Sequence, residues 1–101
     1  VDRFKNDERM IKMPKAIVSF QVNDWAQWEA AFASHNEARE NAHIKTLYYG
    51  HELENHNSVH VIMDVPSADT LKNFMQQPEN QKVIQEAGHI QETTKMVICS
   101  D

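Results

Sequence analysis

Apolar and polar residues alternate along residues 15–22, KAIVSFQV, in the period-two pattern of a β-strand. One side of this strand is fully apolar and comprises Ala16, Val18, Phe20 and Val22. The other side is mixed and comprises Ile17, Ser19 and Gln21. We therefore expect a first strand that buries one face completely and leaves the other face for a ligand or a partner.

The next segment has the apolar spacing of a helix. Asp24 and Gln27 have the spacing of a capping box, which predicts a helix that begins near Trp25. One face of this helix continues at helical intervals through Trp28, Phe32 and His35. We expect the helix to end at residues 41–43, with His35 directed inward towards the sheet.

A second helical region follows Ser67, which is a favourable N-cap residue. Pro78 interrupts this region, but proline is accepted in a first helical turn. Residues 78–88 are therefore predicted to form a second helical piece at a new angle, ending at Gly88. Residues 93–100, TTKMVICS, are predicted to form the last strand.

Residues 44–65, IKTLYYGHELENHNSVHVIMDV, comprise two β-rich runs with an Asn-rich break between them, which predicts a β-hairpin. The sequence leaves two registers open. A loop symmetric about Asn55 and His56 places His51 directly opposite His60 on one face. A loop one residue longer or shorter breaks that pair and brings Tyr48 onto the face of His60 and Ile62.

The predicted order of elements is strand, helix, strand, strand, helix, strand. This order defines an α+β, ferredoxin-like βαββαβ fold, in which both helices cover one face of an antiparallel four-stranded sheet. The other face is left uncovered, and it carries His60, Ile62, Asp64 and one of the tyrosines at 48 and 49. Because a second copy of the chain is the simplest cover, we expect a homodimer.

Composition excludes several classes of function. The net charge of −5 repels phosphate backbones and anionic lipid surfaces, so neither nucleic acid nor a membrane is an expected partner. Cys99 is the only cysteine, which excludes an intrachain disulfide and a thiolate zinc cluster and fits a cytoplasmic protein. Only two glycines are present, which excludes phosphate-binding P-loops and Rossmann motifs. We expect residues 15–101 to form one domain, and residues 1–14 to be an upstream extension or an expression-tag remnant.

The element order, the hairpin that leads into the helix capped by Pro66 and Ser67, and the run QQPENQKVIQEAG together resemble the dimeric α/β-barrel superfamily. That superfamily includes the antibiotic-biosynthesis monooxygenases and the stress-responsive A/B-barrel domains, and the resemblance covers residues 15–100. It implies two sheets packed face to face, with a cavity in each subunit enclosed by the sheet and its helices. Such cavities bind small, mostly apolar molecules, and in some members haem or a polyketide-like aromatic. No catalytic motif of the superfamily is matched, so no catalytic residue is transferred.

Among the histidines, His60 is the candidate proton carrier, because an imidazole on an apolar sheet face can exchange a proton with a bound phenol or enol. The alternative is a histidine that is hydrogen-bonded in a dimer interface. The candidate ligand contacts are Ser19, Gln21, His35, Tyr48, Tyr49, His51, Ile62 and Asp64. His43, His56 and His89 are interpreted as surface residues.

The sequence predicts no metal site, since a transition metal requires three or four ligands, and it predicts no cofactor. A histidine-ligated haem is a weaker alternative. We expect a small hydrophobic or aromatic ligand. The favoured functions are a cofactor-independent monooxygenase or an isomerase/cyclase, and the alternative is a non-catalytic sensing or structural dimer module.

Overall fold

The structure, a computed structural model, describes residues 13–101 of the chain. Its strands are β1 (Lys15–Val22), β2 (Lys45–His51), β3 (Ser58–Asp64) and β4 (His89–Cys99). Its helices are α1 (Trp25–Ser34), α2 (Asn36–Asn41), α3 (Ala68–Gln76) and α4 (Pro78–Glu86). The strands form one antiparallel sheet in the order β2-β3-β1-β4. The predicted ferredoxin-like fold is therefore confirmed. The first predicted helix is divided into two, and the second helical region is divided at Pro78 as predicted. The prediction for residues 1–14 lies almost wholly outside the described residues.

Both predicted helix starts are present. The Asp24 carboxylate accepts a hydrogen bond from the amide of Gln27 at 2.8 Å, and the Ser67 hydroxyl accepts one from the amide of Thr70 at 3.1 Å. Pro78 begins α4 after Gln77, as expected. Each N-cap side chain satisfies one of the free amides in the first turn of its helix.

The first helix does not continue unbroken to residues 41–43, as the pattern predicted. It breaks at His35, whose backbone angles of −99° and 14° lie outside the helical region. The Ser34 hydroxyl next to the break donates to the carbonyl of Ala31 at 2.9 Å, a bond that competes with helical backbone pairing. The break fixes the position of the His35 side chain at the junction of α1 and α2.

Strand β4 begins at His89, four residues before the predicted start. Gly88, at φ of 80°, allows the sharp turn from α4 into the strand. The pairing of β1 with β4 is irregular between Ser19 and Gln21, and the Thr93 hydroxyl accepts a hydrogen bond from the amide of Gln21 at 2.8 Å. This irregularity disturbs the alternation of residues 89–92, which explains why the sequence pattern missed them.

The hairpin adopts one of the two registers that the sequence left open. Gly50 lies opposite His60 and Tyr48 lies opposite Ile62, so Tyr48 joins the face of His60. The register shifts between Thr46 and Tyr48, which leaves Leu47 as an extra residue in β2. His51 lies opposite Val59 and does not pair with His60.

The two faces of the sheet differ sharply. The helix-side face is buried under α1–α4 and forms the core with Trp28, Ile44, Leu71 and Ala87. The opposite face, which we call the open face, has no covering element within residues 13–101. An apolar row crosses all four strands on this open face and consists of Tyr48, Ile62, Ile17 and Val97. None of the helices in the described part of the chain is long and apolar enough to span a membrane.

Candidate functional site

A cavity of about 100 Å³ lies between the helices and the helix-side face of the sheet. Its walls are aliphatic and aromatic except at four side chains, which are His35, Arg39, Asn80 and His89. A cavity of about 150 Å³ elsewhere holds one benzene molecule, so this space suits a group near the size of a single ring. An apolar lining with a few convergent polar groups is typical of a ligand site, although this cavity is smaller than the roughly 300–1,000 Å³ of sites for drug-sized molecules.

His35 and Asn80 form a directional pair in the cavity wall. Asn80 is buried, and its amide nitrogen donates to the carbonyl of Phe74 at 2.7 Å. Since a carbonyl can only accept, this bond orients the amide and turns its oxygen towards Nε2 of His35, at 2.6 Å. Nε2 must then carry a proton. In the neutral ring Nδ1 therefore keeps its lone pair and can accept a proton or a hydrogen bond.

His89 is neutral at pH 7. Its ring stacks on Phe20 with centroids 3.9 Å apart, and its Nε2 lies 2.7 Å from the Thr94 hydroxyl. Burial lowers the pKa of His89 to about 4, because the charged imidazolium is poorly solvated there. The sequence-based interpretation of His89 as a surface residue is wrong. The reason is that β4 begins at this residue and carries its side chain to the helix-side face.

Arg39 is a buried cation with few partners. It is 5% exposed, its guanidinium lies 3.6 Å from the centroid of the Phe32 ring, and Nη2 donates to Asn36 at 3.4 Å. Its Nε has no hydrogen-bond partner among the described residues. Burial lowers the pKa of Arg39 to about 10, which leaves it charged at pH 7.

Of the residues predicted from sequence to contact a ligand, His35 lies in the cavity wall. Tyr49 faces the helices but packs among Trp25, Trp28 and Phe32, and its hydroxyl donates to Glu29 at 3.1 Å. Burial raises the pKa of the Tyr49 phenol, and the hydrogen bond to Glu29 raises it further. His51 packs edge-on against Trp25, with centroids 4.6 Å apart.

The remaining predicted residues lie together on the open face, and they are Ser19, Gln21, Tyr48, His60, Ile62 and Asp64. None of them lines the cavity. These candidate ligand contacts therefore do not line the cavity that the resemblance implies, which corrects the expected location of the site. The alternation that buries Val59, Val61 and Met63 under the helices turns their neighbours the other way. Their role as ligand contacts stays a prediction.

A polar network occupies the open face near the hairpin loop. His60 Nε2 lies 2.8 Å from the Glu52 carboxylate, which also accepts from the Ser58 hydroxyl at 3.0 Å. The Ser58 hydroxyl in turn accepts from the Gln21 amide at 3.1 Å. The hydrogen bond from His60 lowers the pKa of Glu52, and the hydrogen bond from Ser58 lowers it further. At the other end of β3, Asp64 pairs with Lys15 at 2.7 Å.

Arg39, Asn80 and His89 were not identified from the sequence. For two of them a signal was present in the helical spacing. Arg39 follows His35 by four residues on the stripe of Trp28 and Phe32, and Asn80 begins the stripe that continues through Val83, Ile84 and Ala87. Their polarity hid them, because arginine and asparagine side chains are mostly exposed in folded proteins. Residues 13–101 contain no cluster of three or more His, Cys, Asp or Glu that could hold a metal ion.

Solved structures of low sequence identity share this fold. A protein from Bordetella bronchiseptica, named as a candidate antibiotic biosynthesis monooxygenase, is 17% identical with a TM-score of 0.72, covering 89% of this chain and 97% of that one. A Nitrosomonas europaea protein named in the same way is 10% identical with a TM-score of 0.62, covering 88% and 98%. SnoaB, a cofactor-independent oxygenase from Streptomyces nogalater, is 18% identical with a TM-score of 0.57, covering 87% and 91%.

These matches show that the chain has the same α+β, ferredoxin-like fold as these proteins, the fold that the sequence predicts. The chain belongs to the family described as Domain of unknown function (DUF3764), whose profile matches residues 13–101. No curated protein sequence matches the chain significantly.

Proposed function

We propose that this protein binds a small, largely apolar molecule in the helix–sheet cavity, and that it does so as a homodimer. The cavity itself carries the proposal. It is a partly open apolar space near the size of a single ring, and its wall holds polar groups that are oriented by their neighbours, as His35 is by Asn80. Well-packed cores leave few voids larger than a water molecule, so an unfilled space of this size favours a ligand.

The open face supports the homodimer. Tyr48 is 55% exposed, Val97 is 56% exposed and Ile17 is 39% exposed, and all three belong to one continuous apolar row. A contiguous apolar row on a sheet face favours contact with another surface. In such a dimer His60 would lie at or near the interface, which agrees with the alternative role considered for it.

Native mass spectrometry of freshly purified protein tests this proposal. We expect a dimer that retains a small molecule, and a melting temperature that rises on addition of phenol or benzyl alcohol. Ala87→Leu extends a buried wall residue into the cavity and should abolish both signals, while Ala30→Leu on the exposed side of α1 should preserve them. A protein that carries no ligand and shows no shift with either probe would contradict the proposal.

Proton-transfer catalysis is a second candidate function, and the fixed tautomer of His35 favours it. With Nε2 protonated towards Asn80, the Nδ1 lone pair of the neutral ring can accept a proton from an enol or phenol. Removal of that proton would activate the ligand for reaction with oxygen or for isomerisation without a cofactor. The similar structure SnoaB is a cofactor-independent oxygenase, which supports the first of these reactions.

Two substitutions separate the cavity from the open face as the site of chemistry. His35→Gln keeps a donor towards Asn80 but removes the base, so we expect it to abolish turnover of the co-purified ligand. The sequence-based prediction places the proton carrier at His60 instead, and His60→Ala is the corresponding test. Loss of turnover only in His60→Ala would show that the base lies on the open face and not in the cavity. Absence of turnover in the unmodified protein would rule out catalysis and favour a binding function alone.

A further inference from the structure

We propose that the ligand of the cavity is an organic anion, a carboxylate or an acidic phenol, whose negative charge pairs with Arg39. This inference rests on the proposed function of the cavity and specifies its ligand class. It starts from a charge that the described part of the chain does not neutralise.

The burial of Arg39 is unusual because its charge is poorly compensated. A buried guanidinium is costly unless it is paired and its donors are satisfied. Here the side chain is 5% exposed, its Nη2 has one long hydrogen bond to Asn36, and its Nε has no partner within residues 13–101. The Phe32 ring beneath the guanidinium supplies a cation–π contact but no acceptor for Nε.

The charge of Glu40 favours the charged form of Arg39, but Glu40 makes no ion pair with it. The Glu40 carboxylate instead accepts a hydrogen bond from the Asn36 amide at 3.0 Å. No carboxylate in the described part of the chain lies within ion-pair distance of the guanidinium. The charge of Arg39 is therefore available to a group from outside the fold.

Arg39 is also placed to receive such a group. Together with Phe32 it lines both the cavity and a surface groove that runs along β2 past Thr46 and Tyr48. The buried hydroxyl of Thr46 in this groove likewise has no hydrogen-bond partner among the described residues. Arg39 and Thr46, each with one unsatisfied polar atom, thus both border the groove. A ligand that reaches from the cavity into the groove would place its apolar body in the cavity and its charged oxygens beside Arg39.

The chemistry of the guanidinium selects an anionic oxygen over a neutral one. Arginine presents its donors in a planar fork that matches a carboxylate, and charge-assisted hydrogen bonds are about twice as strong as neutral ones. The apolar surroundings strengthen the attraction further, because they screen charge less than water does. A neutral amide of the same shape would satisfy Nε but would leave the positive charge unpaired.

Benzoate and benzamide test the inference, since they share a shape and differ in charge. We expect benzoate to bind the unmodified protein at least about tenfold more tightly than benzamide, with a dissociation constant below about 1 mM. Arg39→Met, which keeps the apolar stem, should abolish that difference while benzamide still binds. Lys72→Met removes an exposed positive charge and should change neither affinity. Titration calorimetry on the full chain measures each constant.

The melting temperature separates a ligand-binding Arg39 from a structural one. A buried charge without a partner destabilises the free protein, so Arg39→Met should melt at or above the temperature of the unmodified protein. A marked fall in melting temperature together with equal loss of both ligands would show a structural arginine and overturn the inference. Equal binding of both probes by the unmodified protein would overturn the anion inference alone. Binding of neither probe would remove the proposed cavity function as well.

Discussion

At the scale of single residues, His89 provides the clearest link between burial and behaviour. The unfolded chain titrates this histidine near pH 6.5, whereas burial lowers the folded pKa to about 4. Between these values the unfolded state binds more protons than the folded state, so stability falls as the pH is lowered through this window. Allowing for the partial exposure of the ring, the loss by pH 4 is about 2 kcal/mol.

His89→Phe should remove that part of the pH dependence, because phenylalanine can stack on Phe20 but cannot be protonated. Urea unfolding gives the free energy of unfolding at about pH 7 and pH 4.5, and the difference between these two values is compared between the variants. The loss of the Thr94 hydrogen bond shifts both measurements equally. His56→Phe in the exposed hairpin turn is the matched control and should retain the full pH dependence. An unchanged pH dependence in His89→Phe would contradict a neutral, buried His89.

Residues such as Arg39 and Asn80 show why the site was harder to predict than the fold. The position of a side chain on a helix face follows from spacing, and both residues fall on apolar stripes of their helices. Whether a polar side chain on such a stripe is buried depends on partners from distant segments. The bond from Asn80 to Phe74 and its contact with His35 join three helical segments, and no local pattern contains that information. Local polarity therefore favours the wrong environment for these residues.

At the scale of elements, the hairpin separates what alternation can determine from what it cannot. Period two fixes that His60 and Ile62 share a face, and the structure agrees. Alternation does not fix which residues of the partner strand lie opposite, because one extra residue in the loop or in the strand moves every side chain after it to the other face. Here the loop places Gly50 opposite His60 and so brings Tyr48 to the face of His60, and the extra residue Leu47 shifts only the pairing of Thr46 and Lys45 beyond it. An extra residue of this kind is hard to recognise from sequence, because the residues before it and after it both alternate normally.

Engineered disulfides test the hairpin register. In a Cys99→Ser background, the pair Tyr48→Cys and Ile62→Cys should oxidise readily, because these positions are directly opposite on one face. The pair His51→Cys and His60→Cys would form only in the symmetric register and should remain reduced. Thiol counting and denaturing mass spectrometry before and after reduction distinguish an intrachain bond from one between chains. A bond between positions 51 and 60 would show that the symmetric register is populated.

At the scale of the whole molecule, the sheet has two faces of different composition. The helix-side face closes the core and the cavity, and its alternation was predictable from sequence in β1 and β3, whose helix-side residues are all apolar. The open face is banded instead. Its apolar row is flanked on one side by a charged row that includes Lys45, Asp64 and Lys15, and on the other by the row of Gly50, His60, Ser19 and Lys95. A banded face of this kind can define the register of a partner surface.

The homodimer is most directly tested by placing a charge in the apolar row. Val97→Lys puts an ammonium group in the apolar row of the proposed interface, on the edge strand β4. The ammonium group would lose its water there without gaining an ion-pair partner. We therefore expect the dimer dissociation constant to rise at least tenfold, which corresponds to about 1.4 kcal/mol. Leu53→Lys is the matched control, because Leu53 is 91% exposed in the hairpin turn and its replacement should leave assembly unchanged. Sedimentation over a range of protein concentrations measures both constants. Equal assembly of the two variants would move the interface away from the apolar row, and a monomeric unmodified protein would refute the homodimer itself.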